Sequence, residues 1–404
     1  MKESLPSVWR RGIAFAMLDS EPPGSCRSPL RTVSDDDVGS GERTEERPDM
    51  YPPETVHRVA IIGTGTIGAS WATHYLARGF HVTASDPAPQ AEEALRSFIA
   101  AAWDTVTKLG LSAAASPDRL RFTRDIRQAV ADADFVQENA PERPELKVKL
   151  FAEIDDAAPP EVIIASSSSG IKMSVIQAEC RHPERTIIAH PFNPPHIIPL
   201  VEVVGGTKTA PQTIRDAIAF YQSIGKRPIH VKKEIPGHAV NRIQAALYRE
   251  VVHLIDQGVL DVADSDDAVS WGPGLRWGIM GQNRVWHLGG GRGGIQYFMN
   301  HLMPLVAKTL WSDLGSPELT PQLQETIVNG ILEEVDGHSI DELAAQRDAI
   351  LCALLSARAQ HAAFGSKDAM VGQPDIGSPV DYQRSRWSTW SRGSRGAGRN
   401  VSPV

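Results

Sequence analysis

The run Val59-Ala60-Ile61-Ile62-Gly63-Thr64-Gly65-Thr66-Ile67-Gly68 constrains the fold more than any other part of the chain. An apolar strand that enters G-x-G-x-x-G and then opens a helix is a strand–turn–helix unit. Gly63 permits the tight turn, Gly65 lets the backbone approach a pyrophosphate, and Gly68 lets the helix pack closely on the strand. Thr66 and Ile67 begin that helix, whose N-terminal amides face the phosphates. The second strand then ends in Thr83-Ala84-Ser85-Asp86, 18 residues past Gly68. A carboxylate at that strand end accepts hydrogen bonds from the adenine-ribose hydroxyls and repels a 2′-phosphate; Pro87 and Ala88 supply no arginine to meet one. The expected cofactor is NAD rather than NADP. The alternative is a glycine turn that binds nothing.

Strand and helix signals alternate around this unit. Residues 56–62, 80–84, 135–137, 162–165 and 186–189 read as strands, with helical stretches between most of them, which is βαβ organisation. After Pro236-Gly237 the pattern changes. Val240, Ile243, Leu247, Val251 and Leu254 recur at spacings of three and four, as do Ile340, Leu343, Leu351 and Leu354 in part, and no strand is clear from 237 to 365. The fold class is therefore α/β: a Rossmann-type, parallel, doubly wound sheet followed by an all-helical C-terminal domain. The expected division is a nucleotide-binding domain over 54–235 and a helical substrate and dimerisation domain over 236–371. Residues 1–53 and 372–404 lack a periodic apolar face and are expected to be disordered. Met50 is a candidate natural start. The interleaved Arg386, Trp387, Trp390 and Arg392 read as a solvated tail rather than a nucleic-acid contact.

Composition excludes several function classes. Cys26, Cys180 and Cys352 are far apart and fit no C-x-x-C pattern, against a disulfide framework or a thiolate zinc site, so no metal is expected and a reducing compartment is. A net charge of −8 gives no global basic footprint for nucleic acid. No apolar run reaches the roughly 18 residues that span a bilayer. A cytoplasmic protein with a small-molecule substrate, and no nucleic-acid or membrane partner, is expected.

Candidate chemistry sits further along. Ile163-Ile164-Ala165-Ser166-Ser167-Ser168-Ser169-Gly170 ends a strand in four hydroxyls at the carboxyl edge of the sheet, where open α/β folds bind ligands. The strand after it ends in His190-Pro191-Phe192-Asn193-Pro194. Pro199-Leu200-Val201-Glu202-Val203-Val204 then places a carboxylate within an apolar run, where an unpartnered glutamate is rare. A lone histidine is usually a satisfied core residue. A strand-end histidine beside a nucleotide site, with a carboxylate 12 residues on, reads instead as a general base.

Taken in order, these motifs resemble the L-3-hydroxyacyl-CoA dehydrogenase superfamily, which includes lambda-crystallin (L-gulonate 3-dehydrogenase) and L-carnitine 3-dehydrogenase. The resemblance runs from about Val56 to His361. It rests on the glycine loop with Asp86, Glu138-Asn139-Ala140-Pro141-Glu142 leading to Leu146-Lys147, the serine run, the His190 and Glu202 segments, and Pro236-Gly237-His238-Ala239-Val240-Asn241-Arg242. It implies oxidation of a secondary alcohol, with His190 as base, Glu202 orienting it, and Ser169 and Asn241 hydrogen-bonding the substrate oxygen or the imidazole. It also implies cofactor contacts from Glu142 and Lys147, an exposed surface lysine being the alternative for Lys147, and a homodimer through the helical domain.

The substrate is read from two features. The stretch 88–115 carries only Arg96 and Lys108 against Glu92, Glu93 and Asp104, a poor platform for CoA phosphates. The block Gly272-Pro273-Gly274-Leu275-Arg276-Trp277-Gly278 is similar to carnitine-type members, and Trp271, Trp277 and Trp286 lie within 16 residues. Aromatic faces attract quaternary ammonium, and Arg276 suits a carboxylate; the alternative is that these tryptophans pack a helical interface. L-carnitine is thus the first expected substrate. L-gulonate or another small 3-hydroxy acid follows, since Gln282-Asn283-Arg284 departs from the carnitine-type pattern, and then a 3-hydroxyacyl-CoA. A non-catalytic, crystallin-like role is the reading from a different class.

Overall fold

The computed structural model describes residues 53–361. The expected disordered ends, the start at Met50 and the arginine–tryptophan tail lie outside the described residues. The sheet contains β1 (Arg58–Ile62), β2 (His81–Ser85), β3 (Leu120–Thr123), β4 (Phe135–Glu138), β5 (Ile163–Ser166), β6 (Thr186–Pro191), β7 (Leu200–Gly205) and β8 (Arg227–His230). Their spatial order is β3-β2-β1-β4-β5-β6-β7-β8, and every pair is parallel except β6 with β7. Helices α1 (Thr66–Ala77), α2 (Ala91–Lys108), α3 (Ile126–Val130), α4 (Pro144–Ala157), α5 (Met173–Ile176) and α6 (Pro211–Ser223) connect the strands.

Eight strands form where the sequence suggested five. The three additional ones lack the continuous apolar run of a central parallel strand. β3 and β8 are edges: β8, Arg-Pro-Ile-His, buries none of its four residues, and a polar, proline-bearing edge resists further pairing. β7 was hidden by Glu202. It runs antiparallel because the connection from β6 is a loop with no crossover helix.

Both faces of the sheet are covered. On β1, Val59 and Ile61 join one core with Trp71, Tyr75, Phe135, Phe220 and Tyr221, while Ala60 and Ile62 join the other with Val130, Phe151, Ile154 and Ile176. This is the two-residue period of a strand buried on both sides.

Beyond β8 the described chain is helical, and it groups with the sheet in one compact unit. It comprises α7 (Val240–Asp256), α8 (Val262–Val269), α9 (Leu275–Trp277), α10 (Gln282–Gly289), α11 (Gly294–Tyr297), α12 (Met303–Thr309), α13 (Pro321–Glu334) and α14 (Ile340–Gln360). Helix α14 opens with a capping box between Ser339 and Glu342, satisfying two otherwise orphaned amides. The periodic face on α7 is real, but much of it faces outward: Ile243 is 68% exposed, and Tyr248 is exposed beside it. On this helix only Val252 and Ile255 are buried, in a small core with Val262 and Leu323.

Candidate active site at the carboxyl edge of the sheet

The glycine turn follows from close packing. Gly63 has φ +85°, and a Cβ there would lie 2.8 Å from the Asn139 carbonyl carbon. A Cβ on Gly68 would lie 1.9 Å from the Gly63 carbonyl oxygen, which no side chain survives. At Gly65 a Cβ would meet nothing within 4 Å, so the turn opens outward. No side chain caps the start of α1 and its first turn carries no acid, which leaves its amides for an external anion. Asp86 is fixed at the end of β2. Its Oδ2 accepts from the Thr64 amide at 2.9 Å and its Oδ1 from the Ala88 amide at 2.9 Å.

His190 and Glu202 are direct cross-strand partners of β6 and β7, which brings residues 12 apart in sequence into contact. His190 Nδ1 lies 2.9 Å from Glu202 Oε2, and both side chains are buried. Glu202 Oε1 accepts from the amides of Ala239 at 2.9 Å and Val240 at 3.0 Å, tying the sheet to the start of α7. Burial alone would push this carboxyl up, but the bond to His190 and the two amides together hold it below its usual value. An ionised carboxylate only accepts, so Nδ1 carries the hydrogen and Nε2 is the basic nitrogen.

The serine turn after β5 is gripped from two sides. Glu142 Oε1 accepts from Ser168 Oγ (2.6 Å) and from the amides of Ser169 (3.0 Å), Gly170 (2.9 Å) and Ile171 (3.3 Å). On the helical side, His238 Nε2 binds the Ser168 carbonyl at 3.1 Å, and Asn241 Nδ2 donates to the Ser169 carbonyl at 3.2 Å. Lys147 is not a surface lysine: it is 1% exposed, with Nζ 2.7 Å from Glu138 Oε1, 3.0 Å from the Ala140 carbonyl and 3.7 Å from Glu142 Oε2. The fully buried Glu138 also accepts from Ser166 Oγ at 2.5 Å and the Ala140 amide at 2.6 Å.

These groups open on a cavity of about 740 Å³. Ile67, Asn139, Ala140, Glu142, Lys147 and Ser167 line it towards the glycine turn, and Ser169, His190, Phe192, Asn193, Ile198, Asn241 and Gln244 line the other side. The loop between β6 and β7 is fastened from below by Lys226, whose Nζ donates to the carbonyls of Pro195 and Ile198 and lies 4.9 Å over the Trp71 ring. Of the residues singled out in the sequence, Ile67, Glu142, Lys147, Ser169, His190 and Asn241 therefore share the cavity, with Glu202 directly behind. Reading the sequence assigned no part to Glu138, His238, Asn193 or Gln244. For Glu138 the signal was available, since a glutamate on a strand with buried apolar neighbours is the feature that marked Glu202.

The helical candidates are elsewhere. Trp271 is 71% exposed, Trp277 donates through Nε1 to Gln282, Trp286 stacks on Phe298 at 5.2 Å, and Arg276 is exposed. None of the four lines the cavity in this chain, so closeness in sequence does not become a shared aromatic cage. Among the described residues no group of three or more His, Cys, Asp or Glu side chains could hold a metal ion.

A carboxylate-held imidazole beside a nucleotide turn, with a hydroxyl and an amide close by, can remove a proton from an alcohol. Comparison with known proteins bears on the same region. The family described as "3-hydroxyacyl-CoA dehydrogenase, NAD binding domain" matches residues 58–235, and "3-hydroxyacyl-CoA dehydrogenase, C-terminal domain" matches 237–316. The chain is 48% identical over 299 residues to an L-carnitine dehydrogenase of Streptomyces coelicolor, covering 74% of this chain and 94% of that one. It is 44% identical over 310 residues to an L-carnitine dehydrogenase of Bacillus cereus, covering 77% and 95%. Among solved structures, it is similar to 5-formyl-3-hydroxy-2-methylpyridine 4-carboxylic acid 5-dehydrogenase, described as an NAD+-dependent dismutase. That match has a TM-score of 0.65 at 34% identity, over 76% of this chain and 99% of the other.

Proposed function

We propose, from the premise that this chain belongs to the 3-hydroxyacyl-CoA dehydrogenase family, that it oxidises the 3-hydroxyl of L-carnitine to the ketone with NAD. The observation that carries the chemistry is the buried His190–Glu202 pair, whose imidazole lines the same cavity as Ile67 of the helix that follows the glycine turn. The cofactor's fit rests on the open backbone at Gly65, the uncapped start of α1 and the fixed Asp86 carboxylate. In this reading the turn from Gly63 and the amides of Thr66, Ile67 and Gly68 hold the pyrophosphate, Asp86 the adenine ribose, and Glu142 and Lys147 the nicotinamide side. Bound there, NAD supplies the hydride acceptor.

The protein's own groups do the rest. His190 Nε2 takes the hydroxyl proton, and Glu202 holds Nδ1–H and stabilises the imidazolium that forms. Ser169 and Asn241 hydrogen-bond the substrate oxygen and fix its approach. The lining includes the Phe192 ring, a face that attracts a cationic head group, and no arginine, while its Lys147 is already paired with Glu138. That lining suits a zwitterion better than the phosphates of CoA. The relatives' substrate agrees with it.

A panel of alcohols followed by NADH absorbance tests the reading. L-carnitine is expected to give NADH, with kcat/KM for NAD at least about tenfold above that for NADP, or about 1.4 kcal/mol. NADH from L-gulonate, 3-hydroxybutyrate or a 3-hydroxyacyl-CoA but none from carnitine would overturn it.

The same reading makes the protein a cytoplasmic homodimer joined through the helical part. Use of NAD and the free thiols of Cys180 and Cys352 suit a reducing compartment. No described helix is long and apolar enough to cross a membrane. For the dimer, Ile243, Leu247 and Tyr248 leave one side of α7 apolar and exposed, and a second copy can bury such a stripe against its own equivalent around a two-fold axis. Ile243→Glu combined with Leu247→Glu is expected to halve the mass seen by sedimentation; an unchanged mass would place the interface elsewhere.

A further inference from the structure

We propose that His238 is a positioning residue, which locks the peptide unit carrying the catalytic serine by holding its carbonyl while Glu142 holds its amide. The Ser168 carbonyl and the Ser169 amide belong to one rigid plane. His238 Nε2 meets that carbonyl at 3.1 Å, and the amide donates to Glu142 Oε1 at 3.0 Å. Gripped at both ends, the plane cannot turn about the chain axis, and the direction of the Ser169 side chain is set. This inference rests on the roles proposed above for Ser169 and His190.

His238 is 1% exposed and sits at the crossing from the sheet to α7, at φ +50°, a conformation that histidine and asparagine adopt more readily than most side chains. A carbonyl only accepts, so Nε2 must carry the hydrogen; Nδ1 is buried without a hydrogen-bond partner. The ring lies 5.4 Å from that of His190, with Glu202 and Glu142 as the carboxylates facing it. Burial, with the neighbouring His190, lowers its affinity for a proton, although the bond to Ser168 opposes this. A neutral imidazole with hydrogen on Nε2 is therefore kept beside a base that becomes cationic during the reaction.

Two substitutions separate positioning from simple structural support. The glutamine Nε2 lies as many bonds from the backbone as the histidine Nε2, whereas the asparagine amide stops one bond short. Asparagine, however, tolerates the left-handed backbone better. His238→Gln should keep kcat within about threefold of the wild type, and His238→Asn should lose about tenfold to a hundredfold, the scale of a misplacement near one ångström. KM for NAD should change less than about twofold in both, because neither touches the glycine turn. Thermal stability should run the other way, with Asn at or above Gln.

If turnover follows stability, or if the two variants are equally active, the proposal is wrong. A measurement on the unmodified protein stands whether or not the variants fold. The imidazole nitrogen shifts of His238 should show Nε2 protonated and Nδ1 bare across the pH range of full activity, and the opposite tautomer would overturn the assignment. Turnover ratios are taken with whichever alcohol the wild type oxidises, so failure of the carnitine reading shows in the wild type and failure of this proposal shows between variants.

Discussion

Replacing His190 by alanine is expected to lower kcat by about 10²–10⁴-fold, the usual contribution of a positioned general base, while leaving NAD affinity within about threefold. The separation follows from geometry. His190 sits at the end of β6, whereas Gly63, Gly65 and Asp86 lie at the ends of β1 and β2, with β4 and β5 between. Loss of NAD binding together with turnover would show that the variant had collapsed the cavity. More than about half of wild-type turnover would remove His190 from the mechanism altogether. Glu202→Gln should give a smaller loss, because a neutral amide no longer stabilises the imidazolium that forms as His190 takes the proton. Glu202 also ties the folding of the crossing to pH. Its carboxyl is held below the ordinary value of 4.5 in the folded chain, so its stabilisation is present above that pH and disappears as the pH falls through the lowered value. Acid, not alkali, should loosen the start of α7 from the sheet.

What could be read from the sequence was what sequence spacing encodes directly. A glycine turn is local, so Gly63 to Gly68 and Asp86 were legible from their order along the chain. The His190–Glu202 pair could be suspected because an acid in an apolar run needs a partner, but its contact depends on an antiparallel register that no spacing specifies. β3, β7 and β8 were missed because two are polar edges and the third is broken by that same acid. The tryptophans show the complementary limit of sequence spacing. Trp271, Trp277 and Trp286 are close in sequence, yet none of them lines the cavity of this chain, and they reach solvent or pack on Phe298 and Gln282. Likewise the apolar period on α7 marked a helix correctly, but periodicity cannot say whether the covering surface belongs to the same chain.

The second large effect concerns stability. Glu138→Leu is expected to destabilise the protein by about 3–5 kcal/mol, the cost of leaving a buried charge without its partner. Glu138 is wholly buried, and its carboxylate accepts from Lys147 Nζ at 2.7 Å, Ser166 Oγ at 2.5 Å and the Ala140 amide at 2.6 Å. Without it, the Lys147 ammonium keeps only the Ala140 carbonyl and the Glu142 carboxylate at 3.7 Å. That residual partner is already engaged by the serine turn, so a lysine drawn towards Glu142 would disturb Ser169 as well. The double variant Glu138→Leu, Lys147→Met should regain most of the lost stability, because apolar replacements of buried ion pairs are often neutral or better. It should not regain NAD affinity if Lys147 serves the cofactor. Denaturant midpoints and NAD titration of the two variants read these outcomes independently. A single variant within about 1 kcal/mol of the wild type would mean that the Lys147 side chain finds other partners or water, and the ion pair would then not be what holds this edge of the cavity. A double variant that recovers both stability and NAD binding would leave Glu138 and Lys147 as a structural pair alone. Recovery of stability without binding is the expected result, and it would mean that the pair is kept for the cofactor at no net gain to the fold.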